Sequence, residues 1–209
     1  MKKLEKEPNQ LDEYDRIIQD QLEQGIVERV TDEPHGEREF YLPHKPVMRK
    51  AAESTKMRNV FDASAKANQT SPSLNDCLET EPPLQNLLWS VLVRNRFKPV
   101  ALYCDLKQAF LQVRILEVDR DAVRFHWIKD KDPSQIEVLR FTRALFGLTQ
   151  SPFLLGGTLK QHLDSLKAEY PEEVGTSLEQ RGRYPSRELY RRFCRNHKAR
   201  SAEEFSISV

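Results

Sequence analysis

Apolar side chains first fall into register in residues 10–24, QLDEYDRIIQDQLEQ, where Leu11, Tyr14, Ile18 and Leu22 share one helical face. Asn9 stands where an N-cap is wanted, and Gly25 where such a helix would stop. The short IVERV that follows predicts a strand, and the polar, turn-rich TDEPHGEREF predicts a loop. YLPHKPVM is expected to be extended, because each Pro biases its predecessor away from helix. MRNVFDAS reads as a short strand, and the Ser-, Asn- and Pro-rich SAKANQTSPS as a loop.

The clearest periodicity runs from Pro83 to Phe97. There Leu84, Leu87, Leu88, Val91 and Leu92 form one apolar stripe behind a Pro suited to a first helical turn. Pro99 ends that helix, and VALYC follows as a strand apolar on both faces, as central strands are. AVRFHWI and IEVLRFT are two further strand candidates, joined by the polar KDKDPSQ as a hairpin-type turn. Ser151 and Pro152 supply an N-cap and first-turn Pro for a last helix, with Leu155, Leu159, Leu163 and Leu166 on its buried face. Gly156 and Gly157 weaken that helix locally or let another group approach closely. No internal repeat is visible.

From about Gly175 the periodicity fades, and residues 175–209 hold eight Arg or Lys against four Glu. Over the whole chain the formal net charge is only +1, so contact with a polyanion has to come from a local groove. Hydrophobic residues make up 38% and charged residues 31%, which is outside the disordered range. No apolar stretch approaches the roughly 20 residues that span a bilayer, and no apolar segment follows MKKLEKEPNQ as in a signal peptide. An intracellular protein with no membrane association is therefore expected. Cys77, Cys104 and Cys194 are odd in number and widely spaced, which suits reduced thiols better than a disulfide framework or zinc site.

Three stretches carry candidate chemistry. In KPVALYCDLKQAF, Asp105 ends an apolar run, so its carboxylate is expected at the edge of a buried sheet, where charge needs a donor or cation. A divalent metal is one compensator; an ordinary strand-end cap is the other reading of the same residue. In STKMRNVFDAS, Lys56 and Arg58 alternate on an extended segment and project to one face. Two such cations suit a triphosphate, and they also suit a solvated strand face. In FGLTQSPF, Gly147 allows close backbone approach before Ser151 and Pro152 open the helix, although a plain loop and cap would read the same way.

Taken in order, IVERV, YLPHKPV, STKMRNVFDASAK, LNDCL, ALYCDLKQAFLQV and RALFGLTQSPFLLGG resemble the reverse transcriptase of long-terminal-repeat retrotransposons, closest to the BEL/Pao group. The resemblance covers about residues 10–173. It implies an α+β right-hand polymerase: a flexible N-terminus over 1–9, fingers and the first palm helix over 10–98, a partial palm over 99–174, and an unrelated basic tail over 175–209. It further implies that Asp105 is a metal-binding and catalytic carboxylate and that Leu106 lends its backbone carbonyl to the metal, expected to be magnesium. Phe110 matches the aromatic beneath the incoming sugar, which selects deoxynucleotides by excluding a 2′-hydroxyl. Arg58 and Lys56 match the triphosphate grip, and Phe146, Gly147 and Gln150 lie in the segment that packs on the nascent pair and template. RNA or DNA template-primer and deoxynucleotides are the implied partners.

The sequence departs from the family at one decisive place. Two-metal phosphoryl transfer needs carboxylates from two places, and the family supplies the second set as an aromatic-x-Asp-Asp hairpin after the last helix. No Asp-Asp pair occurs in the 209 residues; GTSLEQRGRYPSRELYRRF stands where the hairpin is expected. Asp119 and Asp121, in VDRDAV, precede the helix instead. The expectation is a truncated polymerase fragment without activity of its own; a non-catalytic nucleic-acid or protein-binding remnant is the alternative.

Overall fold

The computed structural model describes residues 8–30, 39–48, 57–79, 84, 87–97, 105–132, 134–169 and 206–207. Helices and sheets are both present, so the chain is α+β. It forms two compact units, one from residues 1–79, 114–151 and 207–209, the other from 80–113 and 152–206. The predicted strand 100–104, Lys56, and the basic tail apart from residues 206–207 lie outside the described residues. Among the described residues no helix is long and apolar enough to cross a membrane.

In the first unit, helix α1 (Pro8–Glu23) begins with Pro rather than behind an Asn9 cap. A first-turn N–H has no helical partner in any case, so Pro costs nothing there. The helix ends as the sequence predicts, at Gly25, with φ +63°. Ile26 N donates to Gln21 O at 2.9 Å and Gly25 N to Leu22 O at 3.0 Å. These paired bonds satisfy the last carbonyls and turn the chain into strand β1 (Val27–Arg29). Tyr14 and Ile18 are fully buried.

Strands β2 (His44–Met48) and β3 (Met57–Phe61) pair antiparallel, with His44 opposite Phe61 and Val47 opposite Arg58. The short helix α2 (Leu74–Cys77) follows, held by a reciprocal capping box between Ser73 and Asp76. Strands β5 (Arg124–Ile128) and β6 (Ile136–Phe141) form the expected hairpin. Lys129 N donates to Gln135 O at 2.9 Å, and Asp130 and Lys131 take φ of 51° and 61° to close the turn. The first of these strands starts later than AVRFHWI suggests, because residues 117–123 wind into a 3-10 helix before it. The sheet order is β1-β6-β5. Its buried face brings Phe125 to 5.2 Å from Phe141, both near Phe61, while Trp127 packs against Tyr14 at 4.7 Å. Strand β4 (Arg114–Ile115) joins this unit through Ile115 N, which donates to Thr142 O at 2.9 Å.

In the second unit, helix α3 (Leu88–Asn95) is shorter than the stripe from Pro83 to Phe97 predicts. Leu84 and Leu87 are not helical, and Leu87, Leu88 and Trp89 are more than two-thirds exposed. Helix α4 (Ser151–Leu166) is present as expected. Its buried positions are Ser151, Leu154 and Thr158, a row one step away from Leu155, Leu159, Leu163 and Leu166, which are half-buried. Gly156 does admit a close neighbour: a Cβ there would lie 3.0 Å from Leu84 Cβ. The remaining described strand is β7 (Ser206–Ile207), at the boundary of the two stretches of chain.

Candidate nucleotide and nucleic-acid site

Asp105 opens a compact turn in the second unit. It is exposed, and Leu106 beside it is half-buried. The chain reverses at Gln108, which takes φ 52° and ψ 45°, and enters a 3-10 turn at Ala109–Gln112. Val113 N donates to Phe110 O at 3.0 Å, and Gln112 Nε2 reaches back to Lys107 O at 3.4 Å. Asp105, Leu106 and Phe110 are therefore presented by one short, internally bonded segment, with Phe110 half-buried.

Phe146, Gly147 and Gln150 belong to the first unit, on the loop that leads into α4. Gly147 sits at φ +95°, a conformation that disfavours any side chain, and a Cβ there would meet Phe61 O at 3.4 Å. The loop is stitched by a residue to which the sequence assigned no role. Asn75, from LNDCL, donates through Nδ2 to Gly147 O at 2.8 Å and accepts from Thr149 N at 3.1 Å. The same amide nitrogen reaches Ser64 Oγ at 2.9 Å. At the helix start, Ser151 Oγ donates to Leu145 O at 2.6 Å. Phe146 is left 69% exposed, a flat apolar face on a fixed loop. Gln150 is half-buried, and its Oε1 has no hydrogen-bond partner.

Arg58 also lies in the first unit, on the outward face of β3, and makes no ion pair among the described residues. Its expected companion Lys56 is outside the described residues. Cross-strand register supplies another cation: Lys45 pairs with Val60 and Val47 with Arg58, so Lys45, Val47, Arg58 and Val60 share one exposed face. Lys45 was not legible as a partner of Arg58, because pairing across 13 positions leaves no periodic signal.

Asp119 and Asp121 have other work. Asp119 is buried on the 3-10 helix before β5. Register places Glu28, Arg140 and Arg124 in a row across β1, β6 and β5. Two arginines directly opposite would repel, and Asp121 resolves this by accepting from both. Its Oδ1 lies 2.8 Å from Arg124 Nη2 and 2.7 Å from Arg140 Nη1. Glu28 takes Arg140 Nε at 2.5 Å and Arg120 Nη1 at 3.2 Å. Burial opposes the charge on Asp121, but the hydrogen bonds from Arg124 and Arg140 outweigh it and hold the carboxyl below its usual range.

Among the described residues no three His, Cys, Asp or Glu side chains gather as a metal-holding group. The turn offers magnesium one carboxylate, Asp105, and the carbonyl of Leu106. Magnesium takes octahedral oxygen ligands and keeps several waters. That donor set fits an ion already carrying phosphate and water oxygens, and does not by itself make a cage. No family model matches this chain, and no curated protein matches it.

Proposed function

We propose that the chain carries the fingers and part of the palm of a retroelement reverse transcriptase, similar to the BEL/Pao group, and that the 209-residue chain binds nucleotide and nucleic acid without polymerising. The observation that carries this reading is the ordered motif set, together with a turn that presents Asp105, Leu106 and Phe110 on one short segment. In this reading Asp105 and the Leu106 carbonyl hold a magnesium that arrives on a deoxynucleotide, and the Phe110 ring lies under the sugar. Magnesium supplies charge neutralisation at the phosphates when bound. The resemblance also implies a triphosphate-binding role for Arg58, exposed on β3 of the first unit, and for Lys56. For the first-unit loop of Phe146, Gly147 and Gln150, fixed by Asn75, the resemblance implies packing on a template base pair.

The second reading is a non-catalytic nucleic-acid-binding or protein-binding module. The exposed pair of cations on β2 and β3 favours nucleic acid within it, as does the missing Asp-Asp pair. Primer extension on a primed RNA template with magnesium separates the two from an active polymerase. No extension is expected, together with magnesium-dependent deoxynucleotide binding that Asp105→Asn weakens. Extension abolished by Asp105→Asn would overturn the inactive reading. Equal nucleotide affinity in wild type and Asp105→Asn would overturn the site.

A further inference from the structure

Arg143 is a half-buried guanidinium in like-charged company. An antiparallel bridge sets it directly opposite Arg114, so the two side chains leave one face of the backbone pair. Arg120 closes the group from the 3-10 helix before β5, with its Nε donating to Ile115 O at 3.2 Å. Glu28, which pairs with Arg120, is also engaged by Arg140. Among the described residues neither Arg114 nor Arg143 has an ion pair, and Arg143 Nε is buried without a hydrogen-bond partner. Burial, then the charges of Arg114 and Arg120, pull the Arg143 guanidinium below its usual range. An arginine keeps its proton under such pressure, so the charge stays, and among the described residues no carboxylate pairs with it.

We propose that Arg114, Arg120 and Arg143 form an oxyanion site that receives a phosphate group. The guanidinium forks of Arg114 and Arg143, with the charge of Arg120 beside them, offer more donors than the two oxygens of a carboxylate accept, and they match a tetrahedral phosphate with several acceptors. The phosphate comes either free in solution or from the backbone of a nucleic acid; the recognising chemistry is the same. All three arginines lie in the first unit, and none belongs to the Asp105 turn. The site therefore stands or falls independently of the polymerase reading.

The test uses the full 209-residue protein at pH 7.5, with inorganic phosphate exchanged for chloride at constant ionic strength. A ten-nucleotide single-stranded oligodeoxynucleotide provides the second arm. Wild type is expected to unfold at higher temperature as phosphate or oligonucleotide rises. Arg143→Met should lose that response and be the more stable protein in chloride, since an uncompensated charge has gone. Arg114→Gln should keep the fold and weaken the response about tenfold, the loss of one charge-assisted contact. It decides the matter should Arg143→Met fail to fold. A response to phosphate identifies free phosphate as sufficient, and a response to the oligonucleotide alone identifies backbone phosphate. An unchanged response in Arg114→Gln, or none in wild type to either probe, would overturn the site.

Discussion

Tyr14 donates its hydroxyl proton to Nδ1 of His44. The direction follows from the other side of the ring, where His44 Nε2 lies 2.9 Å from the carbonyl oxygen of His126, which can only accept. A neutral imidazole with its proton on Nε2 satisfies both contacts. Tyr14, Phe61, Phe125 and Trp127 surround it, so helix α1, strand β2 and the hairpin β5–β6 meet at one histidine.

Protonating His44 would remove the acceptor that Tyr14 uses and place a charge among aromatic rings. Burial accordingly holds its pKa below the ordinary 6.5. The unfolded chain then binds the proton more readily than the folded one, so this contribution is complete above the unfolded value and is lost as pH falls below it. The slope is at most about 1.4 kcal/mol per pH unit for one group. Urea unfolding between pH 7.5 and 5 should show it, and His44→Gln should flatten it. An identical slope in both proteins would contradict the assignment.

Asp121 should matter to stability and to nothing else. Arg124 has only 3% of its side chain exposed, and Asp121 is what permits Arg124 and Arg140 to stand opposite each other. Asp121→Ala removes the nearer of two carboxylates from a buried guanidinium, leaving Glu39 at 3.7 Å from Arg124 Nη1, and should cost about 2 kcal/mol. Because the folded carboxyl titrates below its ordinary 3.8, its contribution is present above that value and is lost as pH falls through the folded pKa. Chemical denaturation checks the magnitude. Nucleotide binding by the folded fraction should be unchanged, and a selective loss of binding would reassign Asp121 to the site.

The loop of Phe146 and Gly147 should loosen without unfolding the unit when Asn75 is removed. Asn75→Ala deletes the bonds to Gly147 O and Thr149 N, at a cost of about 1–2 kcal/mol for a partly exposed group. Gly147→Ala should cost about 1–2 kcal/mol by a different route, strain at φ +95°. Amide exchange separates them from general destabilisation: Thr149 N–H should exchange faster in Asn75→Ala while Phe141 and Leu139 stay protected. Uniform acceleration across the sheet would show that Asn75 supports the whole unit instead.

Local chemistry was the legible part of this chain. Gly25 announced the end of α1 because a left-handed residue is needed there, and KDKDPSQ announced a hairpin because its residues suit a tight turn. The stripe from Leu84 to Leu92 was misleading for the complementary reason: periodicity states that a face is apolar, not that something covers it, and Leu87 and Leu88 are exposed. The phase of α4 slipped because Thr158 can enter a buried position once its hydroxyl bonds to Leu154 O at 2.8 Å. Contacts fixed by register were not legible at all. Lys45 with Arg58, Arg114 with Arg143, and Asn75 with Gly147 are joined only by the folded backbone.

The outward face of β2 and β3 gives the sharpest measurement of nucleic-acid contact. Lys45 and Arg58 are both exposed and are related by the diagonal of an antiparallel pair, roughly 7–8 Å apart. Val47 and Val60 fill the other two corners of that square, so the cations stand on an apolar footing with no acid beside them in the register. Each cation that neutralises a backbone phosphate releases a counterion, which steepens the dependence of affinity on salt by about 0.7 per contact for a single strand. Lys45→Gln and Arg58→Gln should each lower affinity for single-stranded DNA and flatten that slope by about 0.7, and the double substitution by roughly 1.4. Both side chains are solvated, so folding stability should change by no more than about 0.5 kcal/mol. Fluorescence anisotropy over a series of salt concentrations reads both quantities. A single substitution that weakens binding without moving the slope would mean that its side chain contacts bases rather than phosphate, and two unchanged slopes would remove this face from the nucleic-acid surface.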